Sequence, residues 1–172
     1  MSHIYDTHLS PNPANYSALS PISFVERSAE VFGDLPAVIH GQRRYTWRQT
    51  RDRAAQLAAA LKAYGIGRGD TVSVMLPNTP EMVEAHYAVP ALNAVLNTLN
   101  TRLDAALIAW QMNHCEAKVL ITDSAFSDTV KEALHVLKTV HGRDLMVVDV
   151  HDTEFTGTGD SVGQVAYEAF IA

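Results

Sequence analysis

The chain has 172 residues, a length that suits one domain, with 47% apolar residues, 19% charged residues and a formal net charge of -6. That composition is globular rather than disordered, and its mild acidity offers no clustered Lys and Arg for nucleic acid to bind. The single cysteine, Cys115, excludes an internal disulfide and a Cys-rich zinc site, and reads as a half-buried thiol after a helix.

Residues 1–22 carry Pro11, Pro13 and several Asn and Ser, and read as an irregular arm. The opening "MSHIYDTHLSPNPANYS" has no basic region followed by an apolar one, so no signal peptide is expected. Residues 23–150 then hold the regular structure. Ser23 can cap a helix carrying Phe24, Arg27, Val31 and Phe32, ended by Gly33-Asp34. "PAVIHGQRRYTW" reads as a hairpin with its turn at Gly41-Gln42 and with Tyr45 and Trp47 on the return strand. Ala54, Leu57, Ala58, Leu61 and Tyr64 recur at the helical period, and "GIGRGD" stops that helix.

"DTVSVML" predicts a strand with Val72, Val74 and Leu76 on one face. Asn78 or Thr79 can cap the next helix, with Pro80 in its first turn and Glu81 suited to its dipole. Pro90 should kink or end it. "AVLNTL" is a strand, Asp104 caps a helix to about His114, and "KVLIT" is a strand. Phe126, Val130, Ala133, Leu134 and Leu137 mark another helix, and "LMVVDV" another strand. In "AVLNTLN" we expect Leu96 and Leu99 to face the core while Asn97 and Asn100 satisfy backbone groups in the loop. Residues 151–172 read as a loop, "HDTEFTGTGDS", and a short terminal helix within "VGQVAYEAFIA". Strands alternating with helices from about 70 to 150 predict an α/β fold, a mostly parallel sheet flanked by helices. "KVLIT" and "LMVVDV" fit strands covered on both faces.

No motif assigns a catalytic, cofactor-binding or metal-ligating residue. "GIGRGD" follows a helix and opens a strand, the reverse of what a pyrophosphate loop needs, so it reads as a turn. That order also disfavours a small oxidoreductase. "TGTGDS" lacks the Lys of a phosphate-binding loop and reads as a flexible loop. Of eight His, no two lie four apart on one helix face. His86, in mid-helix, is read as a packed or surface residue, and no esterase elbow occurs. Asp123, Asp149 and Asp160 lie near the ends of elements, where a sheet could present ligands, although Asp is equally a cap and loop residue. The longest apolar runs, such as Val119–Ile121 and Leu145–Val148, are too short to span a bilayer, and "YEAFIA" is no peroxisomal or lipidation tag. A cytoplasmic location is the expectation.

The string "RRYTWRQTRDRAAQLAAALKAYGIGRGDTVSVMLPN", with "TPEMVEAHYAVPALNAVLNTLNTRLDA" and "EAKVLITD", resembles the N-terminal part of AMP-forming acyl-CoA synthetases, members of the adenylate-forming superfamily. Tyr45-Thr46-Trp47 matches the first short core motif of that family, and Ala91–Asn100 the second. "VLNTLNTRLDA" looks closest to the branch of methylmercaptopropionate and short- and medium-chain acid ligases. Asn93 departs from the pattern, where the family usually carries a small residue, often Gly, which implies a local cost in packing or stability.

The resemblance implies an incomplete N-terminal subdomain of the synthetase fold. In the complete enzyme a carboxylate attacks ATP, with Mg²⁺, to give an acyl-adenylate and pyrophosphate, and CoA displaces AMP. The family's phosphate loop and catalytic Lys do not occur in this sequence, so the cofactors ATP, Mg²⁺ and CoA belong to the complete enzyme. This chain is expected to be inactive alone. The alternative is a free-standing α/β binding or interaction module derived from a truncated synthetase. An uncovered apolar sheet face or edge is also expected, and with it self-association.

Overall fold

The computed structural model describes residues 7, 8, 12, 14, 16, 19–155, 157 and 159–172. Most of the proposed arm, with Pro11 and Pro13, lies outside the described residues, as do Thr156 and Thr158 of "TGTGDS".

The first helix, α1 (Pro21–Val31), is capped by Ser20, whose hydroxyl accepts from the amide of Ile22, with Pro21 at the first helical position. It therefore starts earlier than a Ser23 cap implies. Its buried residues are Val25 and Ala29, while Phe24, Val31 and Phe32 are half exposed. The stripe read from the sequence is thus the outer face. The small residue Ala29 lets α1 approach its neighbour, a choice that apolar spacing alone does not make.

Strands β1 (Pro36–His40) and β2 (Arg43–Thr46) pair antiparallel as the predicted hairpin, with Gly41 at φ 55 in the turn. The hairpin stops one residue short of Trp47. Thr46 and Gln49 form a capping box, so Trp47 opens α2 (Trp47–Ala63) instead of ending the strand. On α2, Thr50, Ala54, Leu57 and Leu61 are buried, and Tyr64, read as part of the stripe, is half exposed at the helix end. Gly65 and Gly69, at φ 102 and 84, make the turn into β3 (Thr71–Met75), as read from "GIGRGD".

β3 is buried along its whole length. Then follow α3 (Pro80–Ala91), β4 (Val95–Thr98), α4 (Ala105–His114), β5 (Ala117–Asp123), a 3₁₀ turn at Ser124–Phe126, α5 (Ser127–His141) and β6 (Met146–Val150). Thr79 takes the cap position of α3 without a side-chain bond, and Pro90 sits next to the helix's last residue. Asp104 caps α4 by accepting from the Leu107 amide, and the helix ends at His114, both as read. Two elements close the chain: β7 (Val165–Ala166), which the sequence did not suggest, and the short helix α6 (Tyr167–Phe170).

The five-stranded sheet runs β4-β3-β5-β6-β7, every pair parallel. One core packs Val72, Val74, Val119, Ile121, Val148 and Val150 against Leu57, Leu61, Ala85 and Val89. The other packs Met75, Leu120 and Val147 against Ile108, Ala109, Met112, Val130 and Leu137. Both sheet faces are therefore covered by helices, which corrects the expectation of a bare apolar face. Asn97 also departs from the reading. Its Nδ2 donates to Ser73 Oγ (3.0 Å) and Cys115 Sγ (3.3 Å), not to loop backbone. Asn100 does serve the loop, accepting from the Arg102 amide. Leu99 is buried as expected, and Leu96 is partly buried, each against a different core. Cys115 is half-buried, directly after α4.

Candidate binding cleft at the carboxyl ends of the strands

In a parallel sheet, ligands gather beyond the carboxyl ends of the strands, near the point where strand order reverses. Here the chain passes from β3 to β4 on one side and then to β5 on the other. At that end of the sheet, beside β6, lies a cleft of about 310 Å³ with Arg43, Glu81, Asp149, His151 and Tyr167 in its walls. A larger hollow of about 570 Å³ runs between α2 and the chain end, lined by Ala59, Ala60, Ala63, Tyr64 and Ile171. It lacks convergent polar groups and offers no chemistry.

Two ion networks frame the cleft. In the first, the hairpin meets the loop after β6. Arg43 Nη1 donates to Glu81 Oε1 at 2.7 Å, and its Nη2 lies 3.4 Å from Asp152 Oδ1. His40 Nε2 is 2.8 Å from Asp152 Oδ2, and the Gln42 amide donates to Glu154. Burial works to raise the Asp152 carboxyl, but the bonds from His40 and the Glu154 amide, with the charges of His40 and Arg43, hold it below its ordinary range. Glu81 sits in the first turn of α3 as read from the sequence, and the structure adds that it is buried. It is 2% exposed, and Arg43 neutralises it.

In the second network Arg53 of α2 is the hub. Its Nε donates to Glu84 Oε1 at 2.6 Å and its Nη2 to Glu168 Oε1 at 2.6 Å. The Tyr167 hydroxyl donates to Glu84 Oε2 at 2.6 Å. The guanidinium also lies over the rings of Tyr45 and Tyr167, 5.1 and 5.9 Å from their centroids. Burial pushes the Glu84 carboxyl up against the pull of Arg53 and Tyr167, and burial raises the Tyr167 phenol.

The sequence candidates scatter. Asp123, at the end of β5, caps the 3₁₀ turn through Oδ1 to the Ala125 amide, while buried Oδ2 has no partner among the described residues. Burial raises its carboxyl. Asp149 lines the cleft, but its Oδ2 is engaged by the amides of Val162 and Gly163, which makes it an anchor for the loop. Asp160 lies on the surface, paired with Lys131. His86 is exposed, with Nδ1 against the Met82 carbonyl. Only Asp149 of these reaches the cleft. Among the described residues no group of three His, Cys, Asp or Glu could hold a metal ion.

Arg43, Arg53, Glu81, Glu84 and Tyr167 were missed. Their signal was charge inside an apolar period: Arg53 between Thr50 and Leu57, and Glu84 beside Ala85 and Ala88. Such residues fall on a buried face only if they find partners there.

The sequence matches the AMP-binding enzyme family over residues 25–168. The chain belongs to that family. Among curated proteins it is 41% identical over 167 residues to a peroxisomal acetate/butyrate–CoA ligase of Arabidopsis thaliana, covering 93% of this chain and 29% of that protein. It is 40% identical over 159 residues to a peroxisomal benzoate–CoA ligase of the same plant (92% and 27%). An acetate–CoA ligase of Humulus lupulus is 41% identical over 170 residues (95% and 30%). The chain thus spans under a third of the length of these relatives. Its fold matches an anthranilate CoA ligase solved with anthranoyl-AMP, TM-score 0.75 at 24% identity, covering 87% of this chain and 27% of that one. A benzoate CoA ligase from Burkholderia xenovorans LB400 matches at TM-score 0.71 and 17% identity, with the same coverage. The chain therefore corresponds to the N-terminal region of AMP-forming CoA ligases. No helix among the described residues is long and apolar enough to cross a membrane.

Proposed function

We propose that this chain is the N-terminal part of an AMP-forming acyl-CoA synthetase that joins a small carboxylic acid to CoA at the expense of ATP, and that it has no ligase activity alone. The observation that carries this reading is the family match across residues 25–168. The relatives' names, acetate, butyrate and benzoate ligases, support a short or aromatic acid. The charge balance of the cleft argues that nucleotide contacts lie elsewhere. Glu81, Asp149 and Glu168 face it, and among the described residues Arg43 is the only Arg or Lys in its wall, a poor setting for a triphosphate. ATP, Mg²⁺ and CoA are assigned to the complete enzyme, and no residue here is given a role toward them.

Pyrophosphate release is the test. With ATP, Mg²⁺, CoA and acetate, butyrate or benzoate, the purified chain should release none, and acid-dependent release would overturn the proposal of inactivity. The same acids should support release by a protein in which the reading frame continues through a phosphate loop. Calorimetry should likewise show no saturable ATP binding.

A second reading, a free-standing binding or interaction module, is favoured by one observation: both faces of the sheet are already covered. A transcript that continues in frame into a phosphate loop argues against the module. We assign the protein to the cytoplasm, where the free thiol of Cys115 stays reduced, and cell fractionation against a peroxisomal marker tests this.

A further inference from the structure

β4 is one margin of the five-stranded sheet and β7 is the other. β7 is two residues long, and so short an edge offers little to pair with. β4 carries none of the usual guards. Val95–Thr98 holds no charge and no Pro, and its register with β3 runs without a bulge. Val95 and Thr98 are exposed. In the parallel ladder the Val95 amide donates to the Asp70 carbonyl, and the Leu99 amide to the Val74 carbonyl. The alternation of the strand then turns the amides and carbonyls of Leu96 and Thr98 outward, where they meet no partner among the described residues. The uncharged stretch is longer than the strand. Between Glu84 and Arg102 no Asp, Glu, Lys or Arg occurs, in a chain with 13 basic and 19 acidic residues. A net charge of -6 opposes the approach of two copies, and this edge adds nothing to that repulsion.

We propose that a second copy of this chain pairs antiparallel along β4, about a two-fold axis through Asn97. The open residues, Leu96 and Thr98, lie symmetrically on either side of Asn97. In that register Leu96 exchanges both backbone bonds with the partner's Thr98, and Thr98 does the same with the partner's Leu96. Each copy satisfies the outward groups of the other, the contact closes on itself, and the two sheets join into one. That reciprocity selects a second copy over an unrelated extended segment, which needs no symmetry about Asn97. The inference stands on this chain alone and does not depend on the ligase reading.

Sedimentation velocity and amide hydrogen exchange on the 172-residue chain test it. The sedimentation coefficient should rise with concentration to that of a dimer and no further. Exchange of the Leu96 and Thr98 amides should slow over the same range, while the Val95 and Leu99 amides, already bonded to β3, stay unchanged. Thr98→Pro deletes an outward donor that bonds nothing within the fold. Thr98→Lys sets a charge beside the axis at an exposed position. Each should weaken association by about tenfold or more, as expected for one lost ladder bond per copy or for like charges brought together. A urea midpoint close to the parent's shows that the fold survives, and Thr98→Lys decides if Thr98→Pro unfolds. Phe24→Lys, on the outer face of α1, should leave the dimer intact. A chain that stays monomeric throughout overturns the proposal, as it would if the edge serves a different protein. So do association that survives both Thr98 variants, loss of the dimer in Phe24→Lys alone, and growth beyond a dimer.

Discussion

Asn93 shows how a single backbone angle explains a residue. It follows α3, its side chain is exposed, and its φ is 55, the left-handed region where Gly is free and Asn is the next most tolerant. The departure from the family's small residue therefore costs backbone strain rather than packing. Asn93→Val should destabilise by about 1–2 kcal/mol, the penalty of a branched side chain in that region, whereas Asn93→Gly should stay within about 1 kcal/mol of the parent. Urea melts of the three proteins decide it. Asp152 carries a prediction in pH. Its folded carboxyl lies below the ordinary 3.8, so its contribution is fully present above that value and is lost as pH falls below it toward the depressed one. Asp123, raised by burial, works in the opposite sense, since protonation there relieves a cost. Asp152→Asn should therefore lower stability at neutral pH and flatten the acid limb of the stability profile. An unchanged acid limb would remove Asp152 from the clamp on the hairpin.

The elements themselves were legible wherever one local rule governed. Asp104 and the period after it gave α4, and the misplaced glycines of "GIGRGD" gave the turn before β3. The failures were choices between faces. α1 offers two apolar sets, and only its packing against α2 and α3 selects Val25 and Ala29 over Phe24 and Phe32. β7 is two residues long and exists because β6 is there to pair with it. The face of α2 was read well enough to test. Leu61 is fully buried against the β3 side of the core, and Leu61→Ala should cost about 2–5 kcal/mol. A denaturation midpoint that hardly moves would place that stripe outside the core.

The sheet faces are covered, so any tendency to self-associate must come from edges and scattered apolar residues. The outer edge of β4, with Val95 half exposed, and the outer face of α1 are the candidates. We expect scattering that rises with concentration in the micromolar range and uptake of a hydrophobic dye. A monomer that takes up no dye and unfolds in one sharp transition would favour the free-standing module. By itself the sequence determined the fold class and the order of the main elements, because period, caps and glycine order are properties of neighbouring residues, and its likeness to known motifs carried the family. Tertiary structure alone decided that Glu81 and Glu84 are buried, that Asp149 anchors a loop, and that Arg43 and Arg53 are the hubs of the two ion networks. A charged residue can occupy a buried position only when a partner waits there. Here those partners lie far along the chain, Arg43 with Asp152 and Arg53 with Glu168, and no local pattern records them.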